Sequence, residues 1–444
     1  MKKLTGFMLL ILALILAGCG GGSSDDATTA DATVSVGDDI EGATELSFWT
    51  FNELHMDLFE DSATKWNEEN PDKPIKLNAQ TYPFDQMHNN LSLALQSGTG
   101  APDLADIEIR QFSNFLKGDV QLEPLNEYVE PELENNVEER FNLYKKDDNY
   151  YGIDYHVGAA VMYYNQEIMD EAGVDIDSIV TWDDYVEAGK KVKETTGKSM
   201  TTIETTEQFT LFQLISQRGS NYFDENGEVI MDNEENVEVL QFLHDMMYKD
   251  KIAEATPGGF HHAEEYYGFM NDGGAASLMM PIWYMGRFID YMPDLEGKMQ
   301  IRPLPVWEEG GNRTAGIGGT ATVVTNQSES AELAKEFLAY TKLTEEANVK
   351  LWTVLGFDPP RFDVWDNEEM KADNKYYSYF HDGIFDMLSE IKGEIAPIYY
   401  TPEYSSAQQE VESTVLYNVL VEQKKTPQEA LTEAADAVKS RQTE

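Results

Sequence analysis

Between residues 45 and 107 the spacing of apolar side chains switches repeatedly between strand-like alternation and a helical period of about 3.6 residues. Glu45-Leu46-Ser47-Phe48-Trp49-Thr50-Phe51 alternates and is rich in aromatics, which predicts a first strand. Met56, Phe59, Ala63 and Trp66 then fall on one helical face within 55–70, Asn70-Pro71 ends that helix, and Trp66 is expected in the core. A second strand is predicted at 75–78, a second helix at 84–97 closing at Gly98, and a third strand within 101–107. Such an order cannot be met by an all-helical bundle or a sandwich of sheets; it builds an α/β lobe.

The alternation continues further on. Strands are predicted at 157–164, 275–280 and 321–324, and helices at 166–172, 182–195 with Thr181 as N-cap, and 331–341. A final helical stretch covers 405–440, and no solenoid repeat is present. Seven Trp, 23 Tyr and 20 Phe supply more apolar surface than one core of ordinary size uses, so two lobes are expected.

The start of the chain stands apart. Lys2 and Lys3 precede the apolar run 7–17, which is shorter than the roughly 20 residues of a spanning helix and ends at Gly18-Cys19. Residues 1–18 therefore read as a signal peptide, and Cys19, the single cysteine, excludes any disulfide within the chain. Residues 19–43 are polar and glycine-rich and are expected to be a flexible tether. With 81 acidic against 32 basic residues the formal charge is -49, a balance that repels nucleic acid and leaves no basic cluster for phosphate-rich ligands.

No motif of enzyme chemistry is present. A Gly-x-Ser-x-Gly elbow, His-Glu-x-x-His and a P-loop are all missing, and His261-His262 are adjacent rather than at metal-ligand spacing. In Asp224-Glu225-Asn226-Gly227-Glu228 the glycine falls at the fourth position, not the sixth of a calcium loop, so a hairpin turn is expected there. Neither a metal nor a cofactor is predicted.

An ordered series of segments nonetheless points somewhere. Phe48-Trp49-Thr50, Trp66-Asn67-Glu68 with Pro71, Ala101-Pro102-Asp103, Tyr163-Tyr164-Asn165-Gln166-Glu167 and Thr181-Trp182-Asp183-Asp184 come one after another in that order. The series continues through 273–283, Leu304-Pro305, 316–325 and Ala334-Lys335-Glu336-Phe337-Leu338. Over nearly the whole mature chain it resembles the family 1 extracellular solute-binding proteins, the maltose-binding type that serve ABC sugar importers. Residues Leu16-Ala17-Gly18-Cys19 likewise resemble a lipobox, which implies lipidation at Cys19 and a membrane anchor facing the extracytoplasmic side.

The resemblance implies an α/β, type II periplasmic-binding-protein fold with two lobes joined by crossovers near 155–161, 315–319 and 366–377. Lobe 1 would comprise 44–156 plus 320–366, and lobe 2 would comprise 157–319 plus 367–444. Gly158, Gly316, Gly318 and Gly319 fall at crossovers and are hinge candidates, with tight turns as the equal alternative. A sugar needs flat aromatic faces and short polar groups. The resemblance places Trp283, Trp49, Asn52, Glu53, Tyr155, Glu207 and Tyr404 at the ligand. Arg287 lies four positions past Trp283, Asp106, Glu108 and Arg110 alternate so as to share one side of an extended strand, and Trp352 with Phe357 and Arg361 flanks Pro359-Pro360. The implied function is capture of a carbohydrate by a monomer that hands it to ABC permease subunits on separate chains. Alternatives are a binder of a cationic solute such as a polyamine, or a secreted glycoside hydrolase with paired carboxylates.

Overall fold

The computed structural model describes residue 30 and residues 32–442, so the expected leader 1–18 and the expected lipidation site Cys19 lie outside the described residues. One lobe is built on a six-stranded sheet. Strands β1 (Ala32–Val36), β2 (Thr44–Thr50), β3 (Ile75–Thr81) and β4 (Leu104–Glu108) are joined by Thr320–Val324 and Ile153–Asp154 in the order β1, β3, β2, β4, 320–324, 153–154. β2 runs parallel to β3 and β4, as right-handed strand-helix-strand units require, and 320–324 returns antiparallel to β4.

The strand β1 corrects one expectation. Residues 32–36 fall inside the expected tether, yet they pair antiparallel with β3 from Ala32 opposite Thr81 to Val36 opposite Leu77. The alternating Ala32-Thr33-Val34-Ser35-Val36 lets Ala32, Val34 and Val36 cover the core beside α1 (Glu53–Glu69), an edge contact that composition alone hides. α1 carries Met56, Phe59, Ala63 and Trp66 buried on one face, and Asn52 caps it by accepting from Leu54 N–H. α2 (Phe84–Ser97) ends on Gly98 with φ +74°, as expected, and α3 (Ile109–Phe115) covers the same side of the sheet.

The second lobe centres on an antiparallel sheet in which Ala160–Asn165 lies between Ser277–Pro281 and Met299–Arg302. Its helices include Trp182–Thr196, where Thr181 and Asp184 form a reciprocal capping box. The turn at Asp224 is a hairpin, with Asp224 N–H donating to Glu228 O over 3.0 Å and Phe223 bridged to Val229. Trp352, expected at the ligand, is a core residue. It is fully buried, donates its indole N–H to Met370 O at 2.9 Å and packs on Tyr376, Tyr377 and Phe385, because a large aromatic on an apolar helix face is drawn inward. The expected helical stretch 405–440 is helical in pieces: α-helical over Tyr404–Glu410, π-helical over Val411–Val415 and Tyr417–Val421, and interrupted before the α-helix Pro427–Gln442. Gln423 in the left-handed region and Pro427 account for the break.

Where the chain crosses between lobes it is braced by buried charge. Asp358 accepts from Gly158 N–H at 3.1 Å and Ala159 N–H at 2.8 Å, while Val157 N–H donates to Asp358 O. Gly158 is at φ +82°, and a Cβ there would land on the carbonyl oxygen of Ile317. Beneath the sheet, Asp106 accepts from Thr50, His55, Tyr155 and Thr322, and Lys342 donates to Ile153 O and Thr322 Oγ1 while lying over the Tyr155 ring. Burial lowers the Lys342 pKa to about 7 against the pull of Asp106 and Asp154.

That shift predicts a pH profile. A lysine whose folded pKa is depressed favours folding above its unfolded pKa, and the gain is lost as pH falls through the folded value. Stability should therefore rise between about pH 7 and pH 10, by on the order of 4 kcal/mol from this group. Urea melts across that range should show the rise in the parent chain and a flatter profile in Lys342→Met.

Candidate functional site

The strand ends of both lobes face one another, and the cation of Arg110 stands between them. β4 ends at Glu108, whose carboxylate caps α3 by accepting from Arg110 N–H at 2.8 Å. Arg110 therefore lies on a helix rather than on an extension of the strand, which corrects the expected period-two row of Asp106, Glu108 and Arg110. Asp106 is fully buried in the network under the sheet, not in the cleft. Arg110 Nε donates to Glu108 at 2.9 Å, and its Nη1 lies 3.5 Å from Glu207 of the second lobe. The guanidinium lies over the rings of Phe84 and Phe209, at 5.7 and 5.1 Å, so aromatic faces from both lobes hold it. Burial opposes its charge, but Glu108, Glu207 and Glu412 more than offset this and keep it protonated.

α3 also touches the helix Tyr404–Glu410. Ser405 Oγ donates to Arg110 O at 2.7 Å, and Asn114 Nδ2 lies 3.4 Å from the same hydroxyl. This seam separates two interlobe cavities. One, of about 610 Å³, is lined by Ser113, Arg140 and Leu143 of the first lobe, by Asp224 and Tyr399 of the second, and by Val157 and Gly316 at the crossovers.

The other is a groove of about 710 Å³ whose lining side chains all carry polar groups, with apolar surface from their carbon stems and the Tyr417 ring between them. Asp85 and Gln111 line it from the first lobe; Thr205, Thr206, Ser405, Gln408, Gln409, Glu412, Ser413 and Tyr417 line it from the second. Amides, hydroxyls and carboxylates in this mixture can both donate to and accept from a ligand's hydroxyl groups. Glu412 accepts from Gln408 Nε2 at 2.8 Å, and burial together with the nearby Glu207 carboxylate raises its pKa to about 7. Burial likewise raises that of Glu207, against the pull of Arg110.

Residues 52–348 match the family described as bacterial extracellular solute-binding protein. Two relatives span nearly the whole chain. The arabinooligosaccharide-binding protein of Halalkalibacterium halodurans is 62% identical over 93% of this chain and 92% of its own length. The protein of the same name from Bacillus subtilis is 51% identical over 99% of this chain and 100% of its own. The chain belongs to the bacterial extracellular solute-binding proteins. Among solved structures, the ABC transporter associated binding protein of B. animalis subsp. lactis, in complex with beta-1,6-galactobiose, aligns with TM-score 0.74 at 20% identity over 89% of this chain and 97% of that one. The cyclic alpha-maltosyl-1,6-maltose binding protein of Arthrobacter globiformis aligns with TM-score 0.73 at 17% identity over 90% and 99%. These two establish the type II fold of the solute-binding protein.

The expected ligand residues are distributed unevenly within that fold. Glu108, Arg110 and Glu207 meet at the contact between the lobes, next in sequence to the groove residues Gln111 and Thr206. Tyr404 is buried behind it, stacked on Tyr222 and accepting from Gln208 Nε2 at 3.2 Å. Trp283 packs against the cores of both lobes and stacks on His262, with Phe209 and His156 at its edges. Trp49 lies edge-on to Tyr82 on the sheet face, Asn52 is occupied as a helix cap, and Glu53 is an exposed residue of the first helical turn. Tyr155 is fully buried under Lys342, and Arg287 lies over Tyr291. Arg361 binds Glu132 and Asp363, and Phe357 packs on His55 and Tyr155.

The weight that aromatic residues carry in the sequence points away from the polar wall. Ser405, Gln408, Gln409 and Glu412 stand at i, i+3, i+4 and i+7, so their shared face is legible as a polar helical stripe.

Proposed function

We propose that this protein captures an arabino-oligosaccharide between its lobes and presents it to the permease of an ABC importer, without altering it. The observation that carries the reading is the polar groove at the seam of the two lobes. It is supported by two relatives of 62% and 51% identity that align over nearly the whole chain and bear that ligand in their names. Closure rests on differential contact: a ligand touching Asp85 and Gln111 on one side and Gln408 and Glu412 on the other gains its full contacts only in the closed form. Lipidation at Cys19, with residues 20–29 as tether, would keep capture near the transporter and let the lobes reorient.

A polyamine is disfavoured because the acids and aromatics that would hold a cation already hold Arg110. The test is calorimetry and thermal shift on the chain from Gly20 onward, with arabino-oligosaccharides, other oligosaccharides, free pentoses and spermidine. Arabino-oligosaccharides are expected to raise the melting temperature and to be recovered intact. Stabilisation by spermidine alone would reassign the ligand, and shortened products in the recovered sugar would make the protein a hydrolase.

A further inference from the structure

The groove wall contains a register shift that no α-helix would make. From Tyr404 to Glu410 the helix is regular, and its groove-facing row Ser405, Gln408 and Gln409 passes on to Glu412 at the start of the next segment. Continued with α geometry, the next member of the row, at i+11 from Ser405, would be residue 416. Leu416 is instead 1% exposed in the core of the second lobe, and Tyr417, 47% exposed, lines the groove. The cause is in the backbone. Leu416 N–H bonds to Val411 O and Glu422 N–H bonds to Tyr417 O, five residues back in each case, and both 411–415 and 417–421 are π-helical.

Each such turn takes in one residue more than an α-turn and rotates the helix beyond it. Here it retains Val411, Val415, Val419 and Leu420 in the core while bringing Tyr417 to the groove beside Ser413, which α spacing from Gln409 already places there. The tyrosine is held by a hydrogen bond from its hydroxyl to Glu422 at 2.9 Å, which leaves the ring face available. It stands five positions, roughly 7 Å along the helix, beyond Glu412, the residue that accepts from Gln208 N–H beside Arg110 and Glu207.

We propose that the π-helical segment creates a distal subsite, with Tyr417 as its platform and Ser413 beside it. This subsite receives a sugar residue of a longer oligosaccharide beyond those enclosed near the lobe seam. The aromatic face takes the apolar C–H surface of that residue and the hydroxyls around it meet Ser413 and Glu412. The subsite sets a preference for chain length rather than for sugar type, and the inference rests on the oligosaccharide reading above.

Calorimetry with arabinobiose, arabinotriose, arabinotetraose and arabinohexaose tests it in the parent, Tyr417→Ala and Tyr417→Phe chains. Tyr417→Ala should bind the tetraose and hexaose about tenfold more weakly and the biose unchanged, with Tyr417→Phe restoring most of the loss. An equal loss at every length, or no loss at any, would overturn the subsite. Because Tyr417 is exposed, an unchanged melting temperature without ligand serves as the control for folding. Should the parent bind none of these sugars, the arabino-oligosaccharide reading fails first, and the same length series on the oligosaccharide that does bind decides the subsite separately.

Discussion

Arg110→Met is expected to lower stability by about 3 kcal/mol and to abolish measurable closure of the lobes around ligand. The guanidinium is the cation held among Glu108, Glu207 and Glu412 where the two lobes meet, and it bonds the first two. Removing it leaves Glu108 buried without its partner, and burial then drives that carboxyl toward the neutral form at a cost of the order that broken buried pairs show. It also leaves carboxylates of opposite lobes facing one another without a counter-charge, which favours the open arrangement. Urea melts measure the first effect and small-angle scattering with and without oligosaccharide the second. Arg287→Met is the matched control. Arg287 is half-buried over Tyr291 away from the groove, so its loss should change stability by no more than about 0.5 kcal/mol. A parent-like scattering change in Arg110→Met would remove this residue from closure.

Arg110, Glu108 and Glu207 each stand out as candidates in the sequence, but the meeting of Arg110 with Glu207 and Ser405 does not, because of the distances in sequence that separate them. The alternation of β2, α1, β3, α2 and β4 is local, written into apolar spacing over 60-odd residues, and the fold keeps to it closely. Glu207 lies 97 positions from Arg110, and Ser405 lies 295 positions from it, so only the closed topology brings them together. Trp352 shows the opposite failure. Its residue type suited a sugar platform, but its helix face was apolar, and burial won. β1 was hidden by the composition around it, where five alternating residues inside a polar stretch were outweighed by their neighbours. At Tyr417 no periodic reading could succeed, because the π turns change the period itself.

The other large effect concerns the joint between lobes. Arg140→Met should destabilise the protein by about 3–5 kcal/mol and loosen the crossover near residue 318. Arg140 is buried, its guanidinium donates to Asp154 Oδ2 through Nε at 2.9 Å and through Nη2 at 2.5 Å, and Nη2 also donates to Gly318 O at 2.9 Å. Asp154 in turn accepts from the Tyr144 hydroxyl at 2.8 Å and from Thr320 N–H at 3.1 Å, so one ion pair ties two crossing strands to the first lobe. Burial works against ionisation of Asp154, but Arg140 together with His156, Lys342 and the Tyr144 hydroxyl outweighs it and holds the carboxyl below its usual pKa, which is why the charged acid persists in the core. Gly319 has to remain glycine beside this pair, since a Cβ there would land on the Arg140 guanidinium and crowd the Tyr144 hydroxyl. Gly319→Ala should therefore destabilise by a related mechanism, and because both changes strike one network, the double variant should lose less than the sum of the two. Hydrogen exchange at Thr320 and the neighbouring amides gives the local readout: protection should fall there in Arg140→Met while the amides of α1 exchange as in the parent. Uniform loss of protection across the first lobe would make Arg140 a stabiliser of the whole lobe and not of the joint.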